Sequence, residues 1–345
     1  MILIAINMIV SYMALFFAAV MCFKKNKHVS DYYLVLWLLV FFAFILCKLG
    51  DSPLSSTMGR LLSAPHGIIL FLYIKNITFN VRFRLKDLLY FVPFGIILLP
   101  AFFVDNYLFT ILYQSLKLVM FVAYIILSIL MLRKYRRSIK ENYSNVENAD
   151  VSWLRTLVYG ILFFVINNMV LMLFPEYPVR LIEDIALFVF VTVMGIKGGL
   201  RAVVFIQPPP QKVDVVTAER KVAYANYGLK GLEVERLSER LREYMEQKRP
   251  YLNPILSLKD LAEAMDTYPH YVTQVLNTVF NQSFYDFVNQ YRIEEAERQL
   301  TNPSNAKLTI LAIAYDCGFN SKATFNRVFK EKKGITPTEH KHAVQ

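Results

Sequence analysis

The chain has 345 residues, 55% of them hydrophobic, and a formal net charge of +11. Its three cysteines (Cys22, Cys47 and Cys317) are scattered and odd in number, which excludes a disulfide framework, and its histidines show no metal-ligand spacing. There is no phosphate-binding glycine loop, no nucleophile elbow and no paired acid and base, so the expectation is not an enzyme, with no cofactor and no metal.

The apolar content lies in one half. Residues 1–206 carry almost every long apolar run, and residues 207–345 have the composition of a soluble domain. A membrane-crossing helix needs about 20 apolar residues. Seven stretches qualify: 2–23, 31–50, 61–79, 88–105, 108–132, 155–174 and 179–200. The third is interrupted by Pro65, His66 and Lys75. In the first, MILIAINMIVSYMALFFAAVM, positive charge follows the apolar run (KKNKH), the reverse of a cleavable signal peptide.

Positive charge marks cytoplasmic connections. Lys24, Lys25 and Lys27 occupy the first connection, and Arg82, Arg84 and Lys86 the third. Arg133, Lys134, Arg136, Arg137 and Lys140 occupy the fifth. The even connections carry little positive charge. Residues 1–196 hold 17 Lys/Arg against 10 Asp/Glu, an excess that reports topology before it reports nucleic acid. The alternation predicts seven spans, with the N-terminus outside and the C-terminus inside. Ionisable residues within spans are costly and tend to mark function. Lys48, His66, Lys117, Asn167, Asn168, Glu183 and Asp184 all fall in the outer half on this topology, and they define a candidate ligand pocket. A structural alternative pairs Lys117 with Glu183 or Asp184 and lets Lys48 snorkel to the interface.

QPPPQ (residues 207–211) follows the last span. Three consecutive prolines cannot continue a helix and make a semi-rigid spacer. Beyond it, Val234, Leu237, Leu241 and Tyr244 form the stripe of an amphipathic helix. That helix either couples or dimerises the two halves, or packs its stripe onto the domain that follows.

Ser257, with Asp260 three residues on, reads as a capping box opening SLKDLAEAM. After a turn, Pro269 opens a second helix, since proline suits the first helical turn. Its apolar face is Val272, Val275, Leu276 and Val279, and its polar face is His270, Thr273, Gln274 and Asn277. Two short helices about a tight turn, the second with a polar face, describe a helix-turn-helix. The pattern repeats. TILAIAYDCGF ends at Gly318, a helix-stop residue, and Ser321 is placed to cap the next helix. In that helix Phe325, Val328 and Phe329 face inward, while Lys322, Ala323, Asn326, Arg327 and Lys330 face outward. Between the units, SFYDFVNQYRIEEAERQL reads as a connecting helix with an apolar stripe through Phe284, Phe287, Val288 and Tyr291. A helix of about 18 residues spans ~27 Å. Two turns held that way suit successive major grooves, which recur every ~34 Å.

GFNSKATFNRVFKEKKGITP (residues 318–337) and NQYRIEEAERQL (residues 289–300) carry a family resemblance: residues from about 251 to 341 resemble the DNA-binding domain of the AraC/XylS family of bacterial transcription regulators. The motif positions are Gly318-Phe319, Phe325, Phe329-Lys330, Gly334 and Thr336-Pro337. The resemblance implies double-stranded DNA as partner, with RNA polymerase and a second copy of the chain as further ones. It also implies that the two outward faces, with Ser321, recognise DNA. Three positions depart from the pattern. Tyr268 stands where a capping serine is common, with Thr267 as a substitute cap; Ala323 stands for a serine and His340 for an aromatic.

The expected architecture is all-α: a polytopic seven-helix membrane bundle followed by a double helix-turn-helix domain. The expected domains are a sensor over 1–203, a hinge and coupling helix over 204–250, and a DNA-binding domain over 251–345. The function this implies is a transcription regulator embedded in the bacterial cytoplasmic membrane. Its partners would be DNA, the lipid bilayer, and an unknown small ligand or membrane protein that supplies the signal. The alternative is a membrane receptor or transporter whose cytoplasmic helical domain binds protein.

Overall fold

The computed structural model describes residues 2–25, 27–79, 85–101, 107–146, 152–173, 180–199, 229–305 and 307–344. Among them the regular structure is helical, with a single isolated bridge, Tyr143 to Ser257, and no strand. The chain divides into two units: Met1–Tyr135 with Val151–Pro208, and Arg136–Asp150 with Pro209–Gln345. The proline hinge at 207–211 lies outside the described residues.

The first unit contains α1 (Ile2–Cys22), α2 (Val29–Leu49), α3 (Pro53–Ser63), α4 (His66–Phe79), α5 (Val92–Ala101), α7 (Ser152–Leu173), α8 (Arg180–Gly199) and most of α6 (Tyr107–Asn142). Five segments are long and apolar enough to cross a membrane: Ile2–Cys22, Val29–Leu49, Pro53–Phe79, Leu108–Asn142 and Trp153–Leu171. The two remaining expected spans differ. The described part of the fourth is a 3-10 turn, Leu85–Phe91, followed by the 10 residues of α5 up to Ala101, where the described residues stop. The seventh is α8, which has 20 residues and brings Glu183, Asp184 and Lys197 into its length. The third expected span is split into α3 and α4, because a proline at 65 removes a backbone donor and crowds the preceding turn.

Core packing in this unit gathers Trp37, Phe41, Tyr73, Leu157, Phe190 and Met194. Close approach at α8 depends on a glycine: a Cβ at Gly195 would lie 2.2 Å from the Phe17 ring. The outward faces are apolar too. Ile4, Met8, Tyr12 and Phe16 on α1, and Leu112, Val119, Ile126 and Leu130 on α6, are all exposed.

The second unit contains α9 (Gly231–Lys248), α10 (Leu258–Ala264), α11 (Pro269–Thr278), α12 (Phe284–Thr301), α13 (Ile310–Asp316), α14 (Lys322–Lys333) and α15 (Pro337–Val344). Its apolar residues form two cores. One joins Leu237, Leu241 and Met245 of α9 to Leu261, Val275 and Phe287. The other joins Ile293, Ala296 and Leu300 of α12 to Ile313, Phe325 and Phe329. The stripe of α9 is therefore used in packing onto its own domain, with Val234 and Tyr244 only partly buried at its edge.

Candidate functional site

The two helix-turn-helix units close by the same hydrogen bond. In the first, Asp266 takes a left-handed φ of 52° and Thr267 N–H donates to Ala262 O at 3.0 Å. In the second, Gly318 takes φ 86° and Phe319 N–H donates to Ala314 O at 3.0 Å. A left-handed residue with a bond back across five residues ends a helix and satisfies one of its orphan carbonyls. The capping box read at Ser257 forms, and Ser283 and Ser321 act as simple N-caps. Ser257 accepts from Asp260 N–H at 3.2 Å, Ser283 from Asp286 N–H at 3.2 Å and Ser321 from Thr324 N–H at 3.2 Å. Gly334, in the left-handed region, ends α14. The first candidate recognition helix has no such cap. Tyr268 is its N-cap, without a side-chain bond, and Pro269 at the first helical position has no N–H to leave unsatisfied. Thr267 does not substitute.

The outward faces are mostly as expected. His270 and Asn277 are exposed on α11, and Thr273 is half-buried with its hydroxyl donating to Pro269 O at 2.9 Å. Lys322, Ala323, Arg327 and Lys330 are exposed on α14, while Ser321 and Asn326 are half-buried. Gln274 is the correction on this face. It is only 5% exposed, its Oε1 accepts from Leu229 N–H at 3.0 Å and its Nε2 donates to Leu229 O at 2.9 Å. Both ends of its amide are used to hold the chain entering α9. Val279, expected on the apolar face, is exposed because the helix has ended there. Arg327 is held rather than free. Its guanidinium donates to Glu331 at 2.9 Å and to the Tyr285 hydroxyl at 2.9 Å. His340 fills its aromatic position as a ring: it meets Phe329 edge-on at 5.5 Å and reaches Glu297 at 3.3 Å. Lys333, bonded to Glu297 at 2.5 Å, and His340 together hold that carboxyl below its usual range.

Sequence reasoning missed the residues that tie this unit together. Arg292 on α12 is 1% exposed, and no carboxylate neutralises it by direct contact among the described residues. It donates instead to Tyr251 O at 2.7 Å, Asn253 O at 2.8 Å, Ser144 O at 3.1 Å and Ser144 Oγ at 3.0 Å. Burial pulls its guanidinium down to about 10, which leaves it cationic at neutral pH. Ser144 lies in the segment after α6. Its N–H and hydroxyl both donate to Leu256 O, at 3.1 and 2.7 Å. Val146 packs against the second core, and the Lys140 ammonium lies 5.2 Å from the Tyr285 ring centre. The end of the fifth connection is thus part of the C-terminal domain. The only available signal was the Arg in NQYRIEEAERQL, an arginine in the linker helix with no acidic neighbour one turn before it.

Cys317 is fully buried in the second core, and burial pushes its thiol up to about 12. A thiol held protonated and covered does not alkylate. In the folded protein Cys317 is expected to resist iodoacetamide at pH 8 while exposed Cys22 reacts, with Cys317 labelling only as its unit opens. Mass spectrometry of the labelled peptides reads this directly.

In the first unit, five of the seven candidate pocket residues share one cavity of ≈ 130 Å³: His66, Lys117, Asn167, Asn168 and Glu183. The other two do not line it. Lys48 bonds Asp184 at 2.6 Å and approaches Glu183 at 3.9 Å, and Asn7 donates to Asp184 at 2.9 Å. Lys48, reaching from α2, is the lysine in contact with the acidic pair, while Lys117 faces the cavity and feels the Glu183 charge without contact.

Comparison with known proteins places the domain. The family model described as a helix-turn-helix domain matches residues 261–343. The chain is 30% identical over 88 residues to the uncharacterized HTH-type transcriptional regulator YisR of Bacillus subtilis, covering 26% of this chain and 30% of that protein. It is 31% identical over 84 residues to the HTH-type transcriptional regulator Rv1931c of Mycobacterium tuberculosis, 24% of this chain and 31% of that one. It is 32% identical over 72 residues to the regulatory protein SoxS of Escherichia coli, 21% of this chain and 64% of that one. The chain thus spans less than a third of the first two relatives and under two thirds of the third. No solved structure matches.

Proposed function

We propose that the chain is a membrane-embedded transcription regulator of the AraC type, with two helix-turn-helix units that bind double-stranded DNA under the control of a signal received in its apolar unit. The observation that carries this reading is the pair of equivalent turns, at Asp266 and Gly318, set before and after one 18-residue helix, α12. Such a pair suits two successive major grooves. The likeness to HTH-type regulators over residues 261–343 supports DNA as the partner and regulation as the role, not catalysis. Lys322, Arg327 and Lys330 supply phosphate-neutralising charge, while His270, Thr273, Asn277, Ser321, Ala323 and Asn326 offer hydrogen bonds or contact to base edges. RNA polymerase and a second copy of the chain are further partners in this reading.

Membrane embedding is supported by the large apolar side chains exposed along α1, α2, α6, α7 and α8, which water would penalise and lipid would not. With the charge alternation in the connections, this favours seven spans, the N-terminus outside and the C-terminal unit in the cytoplasm. The cavity around His66 and Lys117 is the proposed receiving site.

Sequencing DNA crosslinked to the full-length protein in its host tests the reading. Enrichment at discrete promoters is expected, and a uniform background would sink it. On an enriched fragment, the purified full-length protein should bind with log affinity falling linearly with log salt. Arg327→Ala should weaken that binding roughly tenfold, about 1.4 kcal/mol, by electrophoretic shift at fixed salt. Loss of the Glu331 contact alone would leave affinity unchanged, so Glu331→Gln is the control.

A further inference from the structure

The cavity in the first unit brings together two hydrogen-bond donors that find no acceptor among the described residues. Lys117 on α6 is 9% exposed, and no carboxylate lies within 4.0 Å of its ammonium among the described residues. The ammonium lies over the face of Tyr113, 5.3 Å from the ring centre. His66 at the start of α4 is 6% exposed, stacked on Phe41 at 4.2 Å with Phe44 against its edge. Trp37 Nε1 lies 3.0 Å from His66 Nδ1. An indole nitrogen only donates, so Nδ1 accepts and the proton of the neutral ring sits on Nε2. That Nε2 is buried and has no hydrogen-bond partner among the described residues.

A buried cation and a buried N–H without acceptors are each costly, and natural sites keep such groups where a ligand completes them. The complement of two donors, one of them charged, is an anion with two acceptor oxygens. Phe41, Phe44, Phe121 and Phe164 form an aromatic wall of the cavity, beside the polar Ser63, Gln114, Asn167 and Asn168, so a body attached to that anion would lie against the rings. Glu183 lines the same cavity, but Lys48 stands 3.9 Å from it and holds its partner Asp184 at 2.6 Å. Glu183 also acts on Lys117 through space without a contact within 4.0 Å, so its charge is shared between the two lysines and Lys117 is left without a hydrogen-bonding acceptor among the described residues.

We propose that this cavity binds a small monocarboxylate on an apolar body, with the carboxylate between Lys117 and His66 Nε2–H and the body among the phenylalanines. This rests on reading the cavity as the receiving site of the signal, and it gives that signal a chemical class. Trp37 is the built-in reporter, because it is bonded to the ring that the carboxylate would engage.

The test uses the full-length protein in lipid nanodiscs, with Trp153→Phe leaving Trp37 as the single indole. Three water-soluble probes share one aromatic body: phenylacetate, 2-phenylethanol and phenethylamine. Phenylacetate is expected to shift Trp37 emission saturably and to bind at least tenfold more tightly than the other two. Lys117→Gln should remove that preference, leaving phenylacetate no better than phenylethanol. Phenethylamine binding as well as phenylacetate would overturn the carboxylate while leaving a receiving cavity in place. Failure of all three to bind the unsubstituted protein would overturn both. An unchanged phenylacetate affinity in Lys117→Gln would overturn the assignment to this cation, and folding of that variant's first unit is checked by its unliganded Trp37 emission matching that of the unsubstituted protein.

Discussion

Replacing Arg292 with alanine is expected to cost the C-terminal unit about 4 kcal/mol, a large share of the stability a domain of this size has. The guanidinium is completely enclosed and serves three separate pieces of backbone: Tyr251 and Asn253 before α10, and Ser144 after α6. Its removal strands those carbonyls in the interior, each at about 1–3 kcal/mol, and leaves a cavity beside Phe319. Lysine would not rescue it, because a single ammonium cannot reach in the three directions that a planar fork does. The measurement is the protection of Cys317 against alkylation in rising urea, on full-length protein with Cys22→Ser and Cys47→Ser. A midpoint shifted strongly downward for both Arg292→Ala and Arg292→Lys is expected. Retention of the wild-type midpoint would show that the four bonds contribute little.

Gly318→Ala is expected to destabilise the same unit by about 3 kcal/mol, for two additive reasons. The residue sits at φ 86°, where a side chain is strained. A Cβ there would also stand 2.5 Å from Tyr251 O and 2.9 Å from Leu252 O. Those are backbone atoms of the 3-10 turn Pro250–Leu252 and cannot swing aside, and Tyr251 O is already the acceptor for Arg292. Asp266 in the equivalent turn offers the contrast. It already carries a side chain at positive φ, so Asp266→Gly should relieve strain and cost nothing, or stabilise slightly. The Cys317 protection assay ranks the two variants, and equal effects would contradict the reading of the turns.

Whatever is decided within a few residues was legible in the sequence. The caps at Ser257, Ser283 and Ser321 follow from spacings of three, and the turn at Gly318 from the one residue type that tolerates it. The inward faces of α11, α12 and α14 follow from helical period alone. His66, Lys117, Asn167, Asn168 and Glu183 stood out because polar groups are expensive in apolar runs, and they do line one cavity. Long-range pairing was not legible. Gln274 has the chemistry of a base reader, and only its spatial neighbour Leu229, 45 residues earlier, reveals a different use. Asp184 is held by Lys48 and Asn7 from α2 and α1, partners 136 and 177 residues away. Nothing in a one-dimensional pattern favours them over Lys117.

Each half of the C-terminal unit is gripped by a different part of the chain. The first turn is held by α9 and the segment entering it, through Gln274 on Leu229 and through Arg240 of α9, which donates to Met265 O at 2.9 Å. The linker helix and the second core are held by the segment leaving α6, through Ser144 and Val146. The composition break at the prolines therefore marks no cutting point. A chimera that joined residues 212–345 to a foreign receptor would leave Arg292 facing a slot where Ser144 belongs. Evolutionary shuffling of this reader would have to carry residues 136–146 with it, as a splint borrowed from the middle of the other unit's sequence.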